Sequence, residues 1–369
     1  MSDDFPEADR AGDAPHPRET AQLFGQSAAE QAFIDAATGG RLHHAWLLTG
    51  SKGIGKATLA WRAARFLLTH APADTGLFGE PEAPTSLDVS ADHPVSRRIA
   101  ALSEPGVLLI RRVWDADRKR FKSQITVDEV RKLGSYFGLS ATDGGRRVVV
   151  VDSVDDMNSS AANALLKVLE EPPKDAVLFL VSHAPARLLP TIRSRCRELR
   201  LAPLSADALS QALTQAGVAD VPPSISALSG GSVGEAMRLI AEGGADIYAD
   251  IVRLLATCPA LDRAAARALA EKAAARGAEA RLDIVERLIT LALSRLARHG
   301  TGAPLGAEAA PDEAQVFARL SPTPNAARSW ADAAQHVQQR IGHGRAVNVD
   351  PASLLMDAFL HLNETAPRS

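Results

Sequence analysis

The chain has 369 residues, room for two or three domains, and its 46% hydrophobic but only 4% aromatic content means that a large core must be built mainly from Ala, Val, Leu and Ile. Its 41 Lys and Arg against 44 Asp and Glu leave a net charge of −3, which excludes a protein that holds DNA chiefly through its own overall charge. The 2 cysteines, Cys196 and Cys258, are too few for a disulfide framework or a four-thiolate zinc site, and no apolar run is long enough to span a bilayer, so a cytoplasmic protein without a membrane partner is expected.

Residues 1–19 are acidic and Pro-rich and lack the apolar stretch of a secretory signal, which predicts a disordered tail. Apolar residues at helical spacing follow from Ala21 to Thr38, then a short apolar run, Trp46 to Thr49, that reads as a buried strand ending at a Gly-rich turn. Helical pattern resumes from Lys56 to Leu68, which completes the first half of a βαβ unit. The stretch from Ala71 to Glu104, rich in Pro, Ala, Asp and Ser, reads as loop or insertion. Val107 to Ile110 is a strand, and Arg111 to Lys122 is the best candidate for a local basic patch, its plainer reading being a solvated loop. A helix is predicted from Ile125 to Phe137, a fully buried parallel strand over the four valines Val148 to Val151, a helix capped by Asn158 or Ser159 and ended by Pro172-Pro173, and a strand from Ala176 to Val181. Strands alternating with helices imply a parallel α/β sheet. After Leu201 only helical patterns remain, so the expected division is a tail (1–19), an α/β domain (20–201), a small helical domain (202–244) and a larger helical domain (245–369).

Gly50-Ser51-Lys52-Gly53-Ile54-Gly55-Lys56-Ala57 matches the phosphate-loop pattern Gly-x4-Gly-Lys, with Ala57 where Ser or Thr normally stands. Gly50, Gly53 and Gly55 let backbone N–H groups turn around phosphate oxygens, and Lys56 reaches the terminal phosphates. The hydroxyl that would hold Mg²⁺ is missing from Ala57, and Thr58 lies about 100° further round the helix. Asp152, closing the valine strand, is the residue type that holds the magnesium shell in such sites, and Ser153 follows it. Asp155 and Asp156 read as charge at a helix N-terminus.

Asn163 to Pro173 (NALLKVLEEPP), Pro190 to Cys196 (PTIRSRC) and Arg41 to Leu48 (RLHHAWLL) together resemble AAA+ clamp-loader subunits of bacterial DNA polymerase III, in the expected order over Leu23 to Arg200. The resemblance implies a P-loop AAA+ (RecA-like) sheet domain, a helical lid and an all-α collar that assembles the complex. It also implies partners: gamma/tau and delta subunits, the sliding clamp (beta), and primed DNA through the complex. Active members carry Ser or Thr after the loop lysine, Asp-Glu on the strand and a lid arginine. This sequence has Ala57, Ser153 and, in the matching lid stretch Ser229 to Glu235, Gly234. These departures fit the delta-prime branch, a stator with no ATPase activity of its own. No cofactor is then required, and whether ATP or ADP is bound without hydrolysis stays open. In this family Ser182 occupies a sensor position, whose plainer role is a strand-end hydrogen bond. Arg195 corresponds to the arginine that projects into the ATP site of a neighbouring subunit. The resemblance also implies a place for a four-cysteine zinc module after the P-loop helix, but Ala71 to Gln124 contains no cysteine, so zinc is not expected. The competing readings are a catalytically active ATPase of gamma/tau type and a small-molecule phosphotransferase. The latter leaves the Ser-Arg-Cys segment and the helical C-terminal half unexplained.

Overall fold

The computed structural model describes residues 6–10, 12, 14–70, 84–138 and 145–367. These fall into two compact units, residues 1–217 with 232–234, and 218–231 with 235–369. The first helix of the region expected to be a lid (206–215) thus belongs with the sheet, a coarser division than the sequence suggested.

The first unit runs α1 (Ser27–Thr38), β1 (Ala45–Thr49), α2 (Lys56–Thr69), α3 (Pro94–Ala100), β2 (Val107–Arg111), β3 (Trp114–Asp115), β4 (Arg120–Phe121), α4 (Val127–Gly138), β5 (Arg147–Asp152), α5 (Ser159–Glu170), β6 (Ala176–Ser182), α6 (Pro190–Arg193), β7 (Arg197–Arg200) and α7 (Ala206–Gln215). Its five-stranded sheet has the order β2-β5-β6-β1-β7, and every pairing is parallel. The central strands β1, β5 and β6 are nearly continuous apolar runs because both sheet faces are covered there. On one face Leu47, Val149, Val151, Leu178 and Leu180 pack with Val130 and Leu133 of α4 and Leu165 and Leu169 of α5. On the other, Phe33 of α1 meets Trp46 edge-on at 5.1 Å and Phe179 at 5.5 Å, and α2 lies across β1, β5 and β6. Asn158 Oδ1 accepts from Ala161 N and starts α5 as the sequence predicts.

Four expectations are corrected. Helix α1 begins at Ser27 and not near Ala21, because Gly25 turns the chain at φ +69° and the Gln26 side chain donates to Ile54 O and Ala202 O. The described part of the region read as insertion contains α3, started by Pro94 and by His93, whose Nδ1 accepts from Val95 N; residues 71–83 lie outside the described residues. Arg111 to Lys122 is an ordered antiparallel hairpin, with Trp114 opposite Phe121. The N-terminal segment, expected to be disordered, packs on the first unit in its described part. His16 is fully buried, Arg18 donates to Ala100 O at 2.9 Å and to Glu7 at 2.7 Å, and Arg111 pairs with Glu7 and Asp9. Composition measured only the missing apolar surface, whereas this segment is held by charge pairing and backbone acceptors.

The second unit is helical throughout: α8 (Pro223–Ser229), α9 (Val233–Glu242, its first two residues lying with the first unit), α10 (Gly244–Thr257), α11 (Arg263–Ala273), α12 (Glu279–Gly300), α13 (Glu313–Leu320), α14 (Pro324–Ala346) and α15 (Pro351–Thr365). Its core is built on the α12–α14 packing and includes Tyr248, Leu288, Leu293, Phe317, Trp330 and Phe359, all fully buried. A polar network is sealed inside: Arg295 donates to Glu313 at 2.7 and 2.8 Å, Tyr248 donates to the same carboxylate, and Ala309 N completes its shell. Among the described residues no helix is long and apolar enough to cross a membrane.

Candidate functional site

The carboxyl ends of β1, β5 and β6 lie side by side, with Thr49 in register with Ser182 and Asp152 with Val181. In an open parallel sheet this edge is where ligands bind. The loop that leaves β1 carries Gly50, Gly53 and Gly55 into α2, and the structure brings Asp152 and Ser182 to the same edge. Gly53 has φ +80°, and a Cβ there would lie 2.4 Å from Ser232 Oγ and 3.0 Å from Gly234 N. Gly55 has φ +101° and is backed by Leu23, which a Cβ would meet at 2.5 Å. Both positions therefore require glycine.

The segment Ser232–Gly234, singled out in the sequence for its missing arginine, closes on this loop. Ser232 Oγ donates to Lys52 O at 2.8 Å, and Val233 N donates to Gly53 O at 2.9 Å. Gly234 Cα lies 3.2 Å from the Cβ position of Gly53, so residue 234 sits against the phosphate loop, and as glycine it brings no side chain there. The loop carbonyls of Lys52 and Gly53 are thus held by the segment. Ser232 as a clasp was not foreseen; nothing in the sequence marks a serine before a helix as more than a cap.

Lys56 is buried and donates from Nζ to Gly50 O at 2.7 Å and to Ser51 O. Burial pushes its ammonium down to about 8, opposed by Asp152 and Asp155 and reinforced by Lys52. Asp152 moves the other way: burial and the nearby Asp9 carboxylate raise it to about 7, against the pull of Lys56. Asp155 stands in the first turn of a short 3-10 helix, Val154–Asp156, as its position in the sequence suggested, and it also bonds across to β6. It accepts from Ser182 Oγ at 2.9 Å, from His183 N, and from Ala184 N at 3.3 Å, and so ties the end of β6 to the turn after β5. Asp156 pairs with Arg112 at 3.0 Å. His183 is pushed down to about 4 by burial and by Lys56, so it is neutral at physiological pH. Thr58 is buried within α2, and Ser153 is buried with its carbonyl accepting from Asp156 N.

This donor set suits a phosphate anion better than a hydrated cation. Loop N–H groups and Lys56 are the chemistry of an anion cradle. For Mg²⁺ the residues do not fit. Ala57 has no oxygen, and Asp155 is committed to the β6 turn.

Arg195 stands apart from this cluster. It follows α6, its side chain is about one third exposed, and it reaches Glu170 at 2.9 Å, Thr191 O at 3.0 Å and Ser194 Oγ at 3.5 Å. None of these partners belongs to the phosphate loop. Arg197, two residues on, lies over the Trp46 ring at 4.9 Å.

Comparison with known proteins places this geometry. Residues 25–205 match the family model described as DNA polymerase III, delta subunit. A Pseudomonas aeruginosa protein named DNA polymerase III subunit delta' is 39% identical over 220 residues, covering 58% of this chain and 61% of that protein. The protein of the same name from Escherichia coli is 34% identical over 164 residues, 44% of each chain. DNA polymerase III subunit gamma from Buchnera aphidicola subsp. Schizaphis graminum is 30% identical over 190 residues, covering 51% of this chain and 46% of that one. The similarity thus spans from under half to about three fifths of the length of these relatives, and the residues matched by the family model include the loop, Asp152, Ser182 and Arg195. Over residues 25–205 the chain is similar to the delta-prime subunits of DNA polymerase III.

Proposed function

We propose that the chain is the non-hydrolysing, delta-prime-type subunit of a DNA polymerase III clamp loader. It assembles with gamma/tau and delta subunits in the cytoplasm and helps load the sliding clamp (beta) onto primed DNA. The observation that carries this reading is the composition of its own phosphate site. Ala57, Ser153 and Gly234 stand at three separate places where an ATPase needs an oxygen ligand, a base and a cation. Gly234 also lies directly against the loop. Nucleotide held by Lys56 and the loop without turnover is compatible with this arrangement, and zinc has no role in it.

Arg195 is then the residue that acts, in the ATP site of a gamma/tau neighbour. A guanidinium placed there stabilises charge on the transferring phosphoryl group. Its accessible position and its tether to Glu170 support this role, because the tether holds the guanidinium outside this chain's own site. The test is ATP turnover by assembled gamma/tau and delta with clamp and primed DNA, adding either this chain or its Arg195→Ala variant. The chain alone should be inert. The variant should assemble normally and slow turnover at the adjoining site by about tenfold or more. Turnover by the isolated chain at rates typical of active ATPases would favour instead the gamma/tau-like reading, which the gamma relatives keep in view.

A further inference from the structure

We propose that the β3–β4 hairpin is a contact for the phosphate backbone of nucleic acid, made by Lys119, Arg120 and Lys122. The inference rests on the clamp-loader reading for its choice of partner and on the hairpin itself for the residues. The base of the hairpin is braced. Trp114 and Phe121 meet edge-to-face at 5.0 Å, and Arg112 lies over the Phe121 ring at 5.9 Å while pairing with Asp156 at 3.0 Å. Pairing continues past the strands, with Lys122 N donating to Val113 O at 2.9 Å.

The cations of this stretch divide into two groups. Arg111 is spent on Glu7 and Asp9, Arg112 on Asp156, and Arg118 faces Asp115 at 3.9 Å. Lys119, Arg120 and Lys122 are exposed, and among the described residues their side chains have no ion pair or hydrogen bond. Asp117 at the tip and Asp115, which pairs across the ladder with Arg120, offset part of this charge. Side chains alternate along a strand, so Arg120 and Lys122 project to the same face about 6.6 Å apart, a spacing of the same order as neighbouring phosphates on one strand. Phe121 projects to the other face and is occupied with Trp114. The aromatic groups therefore brace the hairpin and do not stack on bases, which makes the expected contact independent of sequence.

A protein of net charge −3 gains little from long-range attraction to DNA, so a rigidly mounted local excess of cations is what such a contact requires. The test is binding of the full chain to a fluorescent primed-template oligonucleotide, by anisotropy, from roughly 50 to 200 mM salt. The triple variant Lys119→Ala, Arg120→Ala, Lys122→Ala is compared with Arg253→Ala, Arg267→Ala, Arg328→Ala, which removes the same formal charge from exposed positions elsewhere. The hairpin variant should lower the magnitude of the log K against log salt slope by about 2 to 3 and weaken low-salt binding by about tenfold or more, with the control unchanged. Equal losses in both variants, or no binding of the wild-type chain at low salt, overturn the proposal. So does a hairpin variant that keeps its DNA affinity but no longer co-elutes with gamma/tau and delta, which would make the hairpin a protein contact. Stimulation of ATP turnover in the assembled complex, measured in parallel, reports separately on the clamp-loader reading.

Discussion

A carboxylate at the end of a buried strand can hold a metal shell only while it is charged. Asp152 sits between burial and the Asp9 carboxylate, which raise it from the ordinary 3.8 to about 7, and Lys56, which opposes them. Below about pH 4 the group is protonated in both the folded and the unfolded chain. Between about 4 and 7 the folded chain retains a proton that the unfolded chain has lost, so stability falls as pH rises through this window and levels off above it. Asp152→Asn removes the penalty. The variant should exceed wild type in stability at pH 8 by about 2 kcal/mol, roughly half the full equivalent of the shift because water partly screens the group, and the two should converge near pH 4. Denaturant midpoints across that range check it. At this scale the phosphate-loop glycines, Lys56 and Asp152 were legible, since each is a residue type at a fixed offset from a strand. The roles of Asp155 and Ser232 were not, because their partners lie 27 to 29 and 180 residues away in the chain.

Among the elements, the N-terminal segment departs furthest from expectation. Low apolar content predicts a loose tail, yet its acidic residues meet Arg111 at the end of β2, and His16 is buried against Trp61 at 6.4 Å. The His16 ring accepts from Arg18 N through Nδ1, which leaves Nε2 toward Asp9 at 3.1 Å. Arg111→Ala would leave Asp9 without its guanidinium in a buried position. The expected cost is about 1 to 3 kcal/mol, with faster proteolysis within residues 6–20, and limited digestion followed by mass spectrometry would show whether cleavage moves there. Strands β1, β5 and β6 and helices α2 and α5 were predictable to within a residue or so, because apolar runs and caps are local signals. The β3–β4 hairpin was hidden because two-residue strands carry no periodicity.

At the scale of the molecule, each unit is held by its own core, and in the helical unit that core contains charge. Arg295 and Glu313 are buried together with Tyr248, whose hydroxyl burial and the Glu313 carboxylate keep protonated. Glu313→Ala would strand the guanidinium and should cost about 3 to 5 kcal/mol in that unit, whereas Arg295→Met with Glu313→Leu together should cost much less. Thermal unfolding by calorimetry would separate the two cases, with the loss confined to one transition where the units unfold separately. The amino-acid sequence by itself determined the parallel α/β half, the helical half, the phosphate loop and its missing oxygens. All of these follow from periodicity and from residue identity at short spacing. Only the tertiary structure decided that burial raises Asp152, what clasps the loop, where the N-terminal segment lies and which hairpin cations are left unpaired. Burial and charge pairing depend on residues brought together from distant parts of the chain, and no local pattern encodes them.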